Sequence, residues 1–83
     1  MTTKEEKPRV SLGKAIRGLR LERDLTQEAL AQSAGVTVGH LSKIERGHSN
    51  PTWATVVAIT EGLGVSLAEL ATRWEAAKEA GRQ

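Results

Sequence analysis

The sequence contains no cysteine, phenylalanine or tyrosine, and only two prolines occur among its 83 residues. Without cysteine the chain can form neither a disulfide bond nor a thiolate zinc site, so its stability must come from packing. Aliphatic side chains, one methionine and two tryptophans supply the entire hydrophobic fraction of 39%. The length fits one small domain, close to the size at which a single core is sufficient.

The sequence also lacks any long apolar run, and its N-terminal segment MTTKEEKPRV has no apolar signal-peptide core. These absences predict a cytoplasmic protein with no membrane partner. The two histidines, His40 and His48, have no cysteine or acidic cluster at metal-ligand spacing, and no serine or threonine has a recognisable partner base. The sequence therefore indicates no metal, no cofactor and no enzymatic activity.

The net charge is only +2, but the charges are distributed unevenly along the chain. The first part is basic and carries Arg9, Lys14, Arg17, Arg20, Arg23, Lys43 and Arg46. The last part is slightly acidic and carries Glu61, Glu69, Glu75 and Glu79. A basic end suits a surface that faces nucleic acid, because neutralising phosphates supplies much of the affinity for DNA.

The most informative segment is TQEALAQSAGVTVGHLSKIERG, residues 26–47. Thr26 and Thr37 each precede a short predicted helix and can cap it. Gly35 lies between the two helices, where a left-handed residue ends the first. Leu41 and Ile44 are three residues apart and therefore face the same side. This pattern predicts a helix-turn-helix, whose second helix lies in the DNA major groove.

The second of these helices has an outer face of small, polar and basic residues. At about 100° per residue, this face lies opposite Leu41 and Ile44 and contains no acid. It comprises Val38 on the flank, Gly39, Ser42, Lys43 and Arg46. Such a face suits close approach to a duplex, although the spacing fits an ordinary solvated helix face equally well.

Five helices are expected in all, and no segment has the period of a β-strand. Helix 1 is predicted from Leu12 to Arg23 with Ser11 as N-cap, and helix 4 follows Thr52 with Trp53 in the core. A capping box at residues 66–69 begins helix 5. Residues 1–10 are predicted as a flexible arm, residues 11–74 as the domain with its helix-turn-helix at 26–46, and residues 75–83 as a helix 5 extension or a frayed tail.

The chain resembles the Cro/C1-type (Xre-like) helix-turn-helix family of bacterial and phage regulators. The matching motifs are T-Q-E-x-L-A at residues 26–31, G-V-T at 35–37, L-S-K-I-E-R-G at 41–47, N-P-T at 50–52 and L-G-V-S at 63–66. The resemblance implies an all-α, five-helix lambda-repressor-like domain that binds double-stranded DNA sequence-specifically. It further implies a transcriptional regulator that binds a palindromic operator as a homodimer. Short repressors and restriction–modification controllers are similar to the chain in this respect.

The resemblance also implies roles for individual residues. Arg20 is expected to pair with Glu45 and to lie toward a DNA phosphate. Gln27 is expected to touch the phosphate backbone and the start of helix 3. The full set expected to contact DNA is Arg17, Arg20, Gln27, Thr37, Val38, Gly39, His40, Ser42, Lys43, Arg46 and Asn50.

Val38 and Gly39 depart from the family, which often places long polar base-contacting side chains at these positions. Val38 can instead touch a thymine methyl, and Gly39 can permit closer approach. Alternatively, specificity rests mostly on Ser42, Lys43 and Arg46, since a guanine contact from lysine or arginine is the commonest specific contact.

The subunit contact is predicted at Leu70 and Trp74, which lie on one helical stripe. The alternative is that Trp74 packs on helix 1 within one subunit.

Two other functions fit the same fold, and each brings a protein partner. One is an antitoxin-type regulator, and the other is a protein-interaction module, which the apolar pair Val38–Gly39 leaves open.

Overall fold

The computed structural model describes residues 7–81, which form five α-helices and, over that range, no β-strand. In chain order these are α1 (Pro8–Glu22), α2 (Gln27–Ala34), α3 (Val38–Glu45), α4 (Trp53–Leu63) and α5 (Leu67–Gly81). The all-α fold of five helices is confirmed, and the predicted helix-turn-helix corresponds to α2 and α3.

The helices begin and end where the sequence provides caps. Thr26, Thr37 and Thr52 each accept a hydrogen bond from the backbone N–H three residues later, at 3.0, 3.0 and 3.1 Å. These bonds satisfy donors that a helix leaves unpaired at its first turn. Gly35 and Gly64 end α2 and α4 with φ of 71° and 72°, a conformation that favours glycine.

The core lies where α1 packs on α3 and α5 and where α2 packs on α4. Its buried residues are Leu12, Ala15, Ile16, Leu19, Leu30, Ala31, Leu41, Ile44, Val56, Ile59, Leu63 and Leu70. With no phenylalanine or tyrosine available, backbones must approach closely. A Cβ atom at Gly13 would lie 2.4 Å from the carbonyl oxygen of Ile44, so glycine allows α1 to contact α3 directly.

Helix α1 begins at Pro8, so the assignment of residues 8–10 to a flexible arm is wrong. Proline suits the first helical position because the N–H it lacks has no partner there. Ser11 is not an N-cap but is fully buried; its hydroxyl donates to the Pro8 carbonyl at 3.1 Å and accepts from Trp74 Nε1 at 2.9 Å. Residues 1–6 of the predicted arm and 82–83 of the predicted tail lie outside the described residues.

Two predictions about apolar residues in the second half of the chain are also wrong. Trp53 is 66% exposed rather than in the core, because it stands in the first turn of α4 beside an open groove. Leu70 is 2% exposed and packs in the core of its own chain, so it cannot form the predicted subunit contact. Trp74 is half-buried and hydrogen-bonded to α1, which matches the alternative of packing within one subunit.

Within residues 7–81, no single helix is long and apolar enough to cross a membrane. Only α4 and α5 taken together, with a bend of 102° between them, reach that length and composition.

Candidate nucleic-acid interface

Helix α3 exposes the face that the sequence predicted. Leu41 and Ile44 are 0% and 1% exposed, which fixes the opposite side of the helix in the core. Ser42 is half-buried, and the exposed residues around it are Val38, Gly39, Lys43 and Arg46. The only acid of α3, Glu45, is 5% exposed. The outer face therefore presents two cations and no carboxylate to solvent.

The ion pair expected between Arg20 and Glu45 is present and buried. Arg20 Nε lies 2.7 Å from Glu45 Oε2, Arg20 Nη2 donates to Oε1 at 3.0 Å, and the two side chains are 8% and 1% exposed. The third nitrogen, Nη1, donates to the carbonyl of Leu25 at 2.8 Å. Because all three guanidinium nitrogens are engaged inside the protein, Arg20 joins α1 to α3. The phosphate contact expected of Arg20 stays a prediction.

Gln27 extends this pair into a three-residue network. Its Nε2 donates to Glu45 Oε1 at 3.0 Å, so the first residue of α2 is tied to the last residue of α3. The network of Arg20, Gln27 and Glu45 therefore fixes the geometry between the two helices of the motif. The phosphate contact expected of Gln27 stays a prediction.

The rest of the predicted set is distributed over α1, α3 and the loops on either side of α3. Thr37, Arg17 and Asn50 are exposed and His40 is half-buried. Since the Thr37 oxygen accepts from the backbone N–H of His40, its hydroxyl hydrogen is available to donate to a phosphate. Arg46 Nε donates to the carbonyl of Ser42 at 3.3 Å, which lays this side chain along α3. Their DNA contacts also stay predictions.

Sequence reasoning missed a contact that holds the end of α3. Arg9 Nε donates to the carbonyl of Gly47 at 3.0 Å, linking the first turn of α1 to the turn after α3. Gly47 has φ of 76°, and a Cβ there would lie 2.9 Å from the Cα of Val10. The partners are 38 residues apart, so no local pattern reveals them. The only sequence signal was the glycine that closes the family motif.

An apolar groove of ≈ 380 Å³ adjoins this interface. Trp53 and Leu67, which are 66% and 38% exposed, line it together with the half-buried Trp74. Asn50 and Pro51, in the loop between α3 and α4, line its edge. The groove therefore lies next to a loop expected to contact DNA.

Acidic and cationic side chains also pair away from α3. Arg73 on α5 donates a hydrogen bond to Glu22 at the end of α1, and this bond lowers the pKa of the Glu22 carboxyl. Among residues 7–81, no three histidine, aspartate or glutamate side chains gather closely enough to hold a metal ion. The surface around α3 thus offers shape, hydrogen-bonding groups and positive charge.

Comparison with known proteins identifies this arrangement. A family model described as helix-turn-helix matches residues 16–70, which contain all of α2, α3 and α4. The chain belongs to the Cro/C1-type helix-turn-helix family. This confirms the resemblance seen in the motifs at residues 26–31 and 41–47.

Members of this helix-turn-helix family are similar to the chain in sequence and in structure. The uncharacterized HTH-type transcriptional regulator y4dJ of Sinorhizobium fredii is 44% identical over 54 residues, 65% of this chain and 70% of that protein. The crystal structure of the clp gene regulator ClgR from C. glutamicum has a TM-score of 0.87 at 27% identity, covering 93% of this chain and 99% of that one.

A third similar protein is the restriction-modification controller protein C.Esp1396I, solved as a tetramer in complex with its natural 35-base-pair operator. Its TM-score is 0.84 at 28% identity, covering 90% of this chain and 99% of that chain. The likeness therefore spans the fold as a whole and not only the helix pair.

Proposed function

We propose that this protein regulates transcription by binding double-stranded DNA sequence-specifically, as a homodimer on a palindromic operator. One observation carries the proposal. Helix α3 presents an exposed face with Lys43 and Arg46 and no carboxylate, while the buried network of Arg20, Gln27 and Glu45 holds that helix rigidly against α1 and α2. Major-groove binding requires a helix of this kind, which is basic, held in a fixed orientation and flanked by polar side chains.

The residues expected to contact DNA divide into two groups. Arg17, Gln27, Thr37 and Asn50, with Lys14, position the protein through phosphates, which carry no sequence information. Val38, Ser42 and Lys43 select the sequence, because they extend from the first turns of α3 toward base edges. A short repressor and a restriction-modification controller would both use these two kinds of contact.

The dimer contact is assigned to the rim of the groove, formed by Trp53, Leu67 and Trp74, instead of Leu70. A large exposed apolar surface on a small domain marks an interaction site. C.Esp1396I, similar over its whole chain, assembles as a tetramer on its operator. The groove borders the loop after α3, and we expect a two-fold contact through it to place both α3 helices on the same side of the dimer. We expect the two helices about 34 Å apart, one turn of DNA.

Trp53→Glu tests this contact, since Trp53 has no assigned role in the core. We expect a folded monomer by sedimentation equilibrium, because glutamate suits the first turn of α4, which now has no acid. Leu21→Glu is the matched control, because Leu21 is an apolar residue on α1 that is 48% exposed and does not line the groove. A Trp53→Glu protein that stays dimeric would contradict the assignment.

DNA recognition is tested by selecting bound duplexes from a random pool at two salt concentrations. We expect a two-fold-symmetric site whose enrichment weakens at defined base pairs in Lys43→Ala. Arg23→Ala removes an equal charge from the residue that follows α1 and pairs with Glu69, and it should leave the selected site unchanged. Weak binding that vanishes with salt and enriches no sequence would refute specific recognition, and would favour a protein-interaction module instead.

The antitoxin-type regulator shares the fold and the DNA contact but adds a toxin as partner. A neighbouring reading frame encoding a toxin would favour it, and co-expression with that product would show whether a complex forms. We place the protein in the cytoplasm, assign it no enzymatic activity and expect no cofactor.

A further inference from the structure

One glycine of α3 has no role in the fold. Gly39 lies inside the helix, is not among the residues with positive φ, and a Cβ added to it would meet nothing within 4 Å. Other glycines are needed where they stand: Gly13 because a Cβ would strike the Ile44 carbonyl, and Gly35 because its φ is 71°. Gly39, the second residue of α3, therefore stands where alanine would fit the backbone and the packing equally well.

The position of Gly39 on α3 suggests why a residue without a side chain stands there. At about 100° per residue, Gly39 lies within about 10° of the direction opposite the midpoint of Leu41 and Ile44. It is therefore at the centre of the outer face of α3, the part that would be deepest in a major groove. An absent Cβ there lets the helix backbone come closer to the floor of the groove.

Val38, next to Gly39 in sequence, lies on the flank of this outer face and is its only apolar side chain; Val38 is 40% exposed. It is the first residue of α3, where recognition helices contact base edges. A valine side chain is short and has no hydrogen-bonding group, so it can distinguish bases only by apolar contact at close range. In the major groove only thymine offers an apolar group, its C5 methyl.

We propose that Val38 recognises the C5 methyl of a thymine in each operator half-site, and that Gly39 is the residue that permits the necessary close approach. The proposal rests on the proposed function, because it names the base that this DNA surface selects. Recognition here depends on van der Waals contact and shape, whereas Lys43 and Ser42 supply the polar contacts nearby.

The first experiment removes the methyl and leaves the protein intact. In the operator selected by the wild-type protein, each thymine is replaced singly by deoxyuridine, and the Kd is measured by fluorescence anisotropy. At one position in each half-site we expect binding to weaken about fourfold, the factor that corresponds to about 0.8 kcal/mol for one buried methylene-sized group. Val38→Ala should bind the thymine and deoxyuridine operators equally.

The second experiment compares two alanine substitutions at helical glycines. Gly39→Ala should not lower the Tm, because its Cβ would meet nothing within 4 Å. It should nevertheless weaken operator binding about tenfold or more, by holding α3 away from the bases. Gly18→Ala is the matched control on α1, where a Cβ would lie 3.9 Å from Arg73 Nη1, an ordinary contact. Because Gly18 lies in the interior of α1, this substitution should raise the Tm through helix propensity but leave the Kd unchanged.

The outcomes separate this inference from the proposed function. An operator that is insensitive to every deoxyuridine substitution would overturn the methyl contact, and a Gly39→Ala protein that binds as tightly as Gly18→Ala would overturn the role of Gly39. Either result would leave specific DNA binding intact. A random pool that yields no enriched site would overturn the proposed function, and this inference would fall with it.

Discussion

Removing the carboxylate of Glu45 should destabilise the protein more than any exposed charge. Glu45→Ala would leave the Arg20 guanidinium charged, 7% exposed and without its ionic partner, and would also remove the acceptor of Gln27. Breaking a buried pair in this way costs about 3–5 kcal/mol. A domain of 83 residues is stable by roughly 4–12 kcal/mol, so the loss is a large fraction of the total.

The assay is urea unfolding followed by circular dichroism, with Glu69→Ala as the matched control. Glu69 also pairs with an arginine, Arg23, at 3.5 Å, but these side chains are 47% and 32% exposed. Solvent screens such a pair, so its loss should cost no more than about 1 kcal/mol. The double variant Arg20→Met/Glu45→Leu should recover much of the stability, because replacing both buried charges by apolar groups leaves neither unpaired.

Two results would refute this reasoning. If Glu45→Ala cost as little as Glu69→Ala, the buried pair would not be coupled to folding. If the double variant were as unstable as Glu45→Ala alone, the cost would come from lost packing and not from an uncompensated charge. In either case the rigidity that we attribute to the network around α3 would need another source.

Two further predictions concern the packing of α1. Gly13→Ala should lower the free energy of unfolding by about 1–3 kcal/mol, because its Cβ would lie 2.4 Å from the backbone oxygen of Ile44. An unchanged urea midpoint would show that α1 and α3 can move apart without cost. Glu22→Gln should lower stability at neutral pH and matter less in acid. The hydrogen bond from Arg73 depresses the folded-state pKa of Glu22, so its contribution is present above the ordinary value of 4.5 and is lost as pH falls through the lower folded value. The free energies of unfolding of the wild-type and Glu22→Gln proteins should differ at pH 7 and become closer at pH 3. A difference of the same size at both pH values would contradict this assignment.

The sequence by itself determined the helices that carry the site. Thr26, Thr37 and Thr52 were identifiable as caps, and Gly35 and Gly64 as helix ends, because capping depends on residues only a few positions apart. The outer face of α3 followed from the spacing of its apolar residues for the same reason. The Arg20–Glu45 pair came from the family resemblance, since its partners are 25 residues apart.

Only the tertiary structure decided which side chains are covered. Trp53 and Leu70 both fit an apolar helical pattern, but Leu70 faces the packed side of α5 whereas Trp53 borders the groove, so their predicted roles failed. Likewise, only the structure shows that Arg20 also donates to the carbonyl of Leu25 and that Gln27 joins its pair with Glu45. Burial and long-range hydrogen bonds depend on how helices pack together, and the local pattern of a sequence does not contain that information.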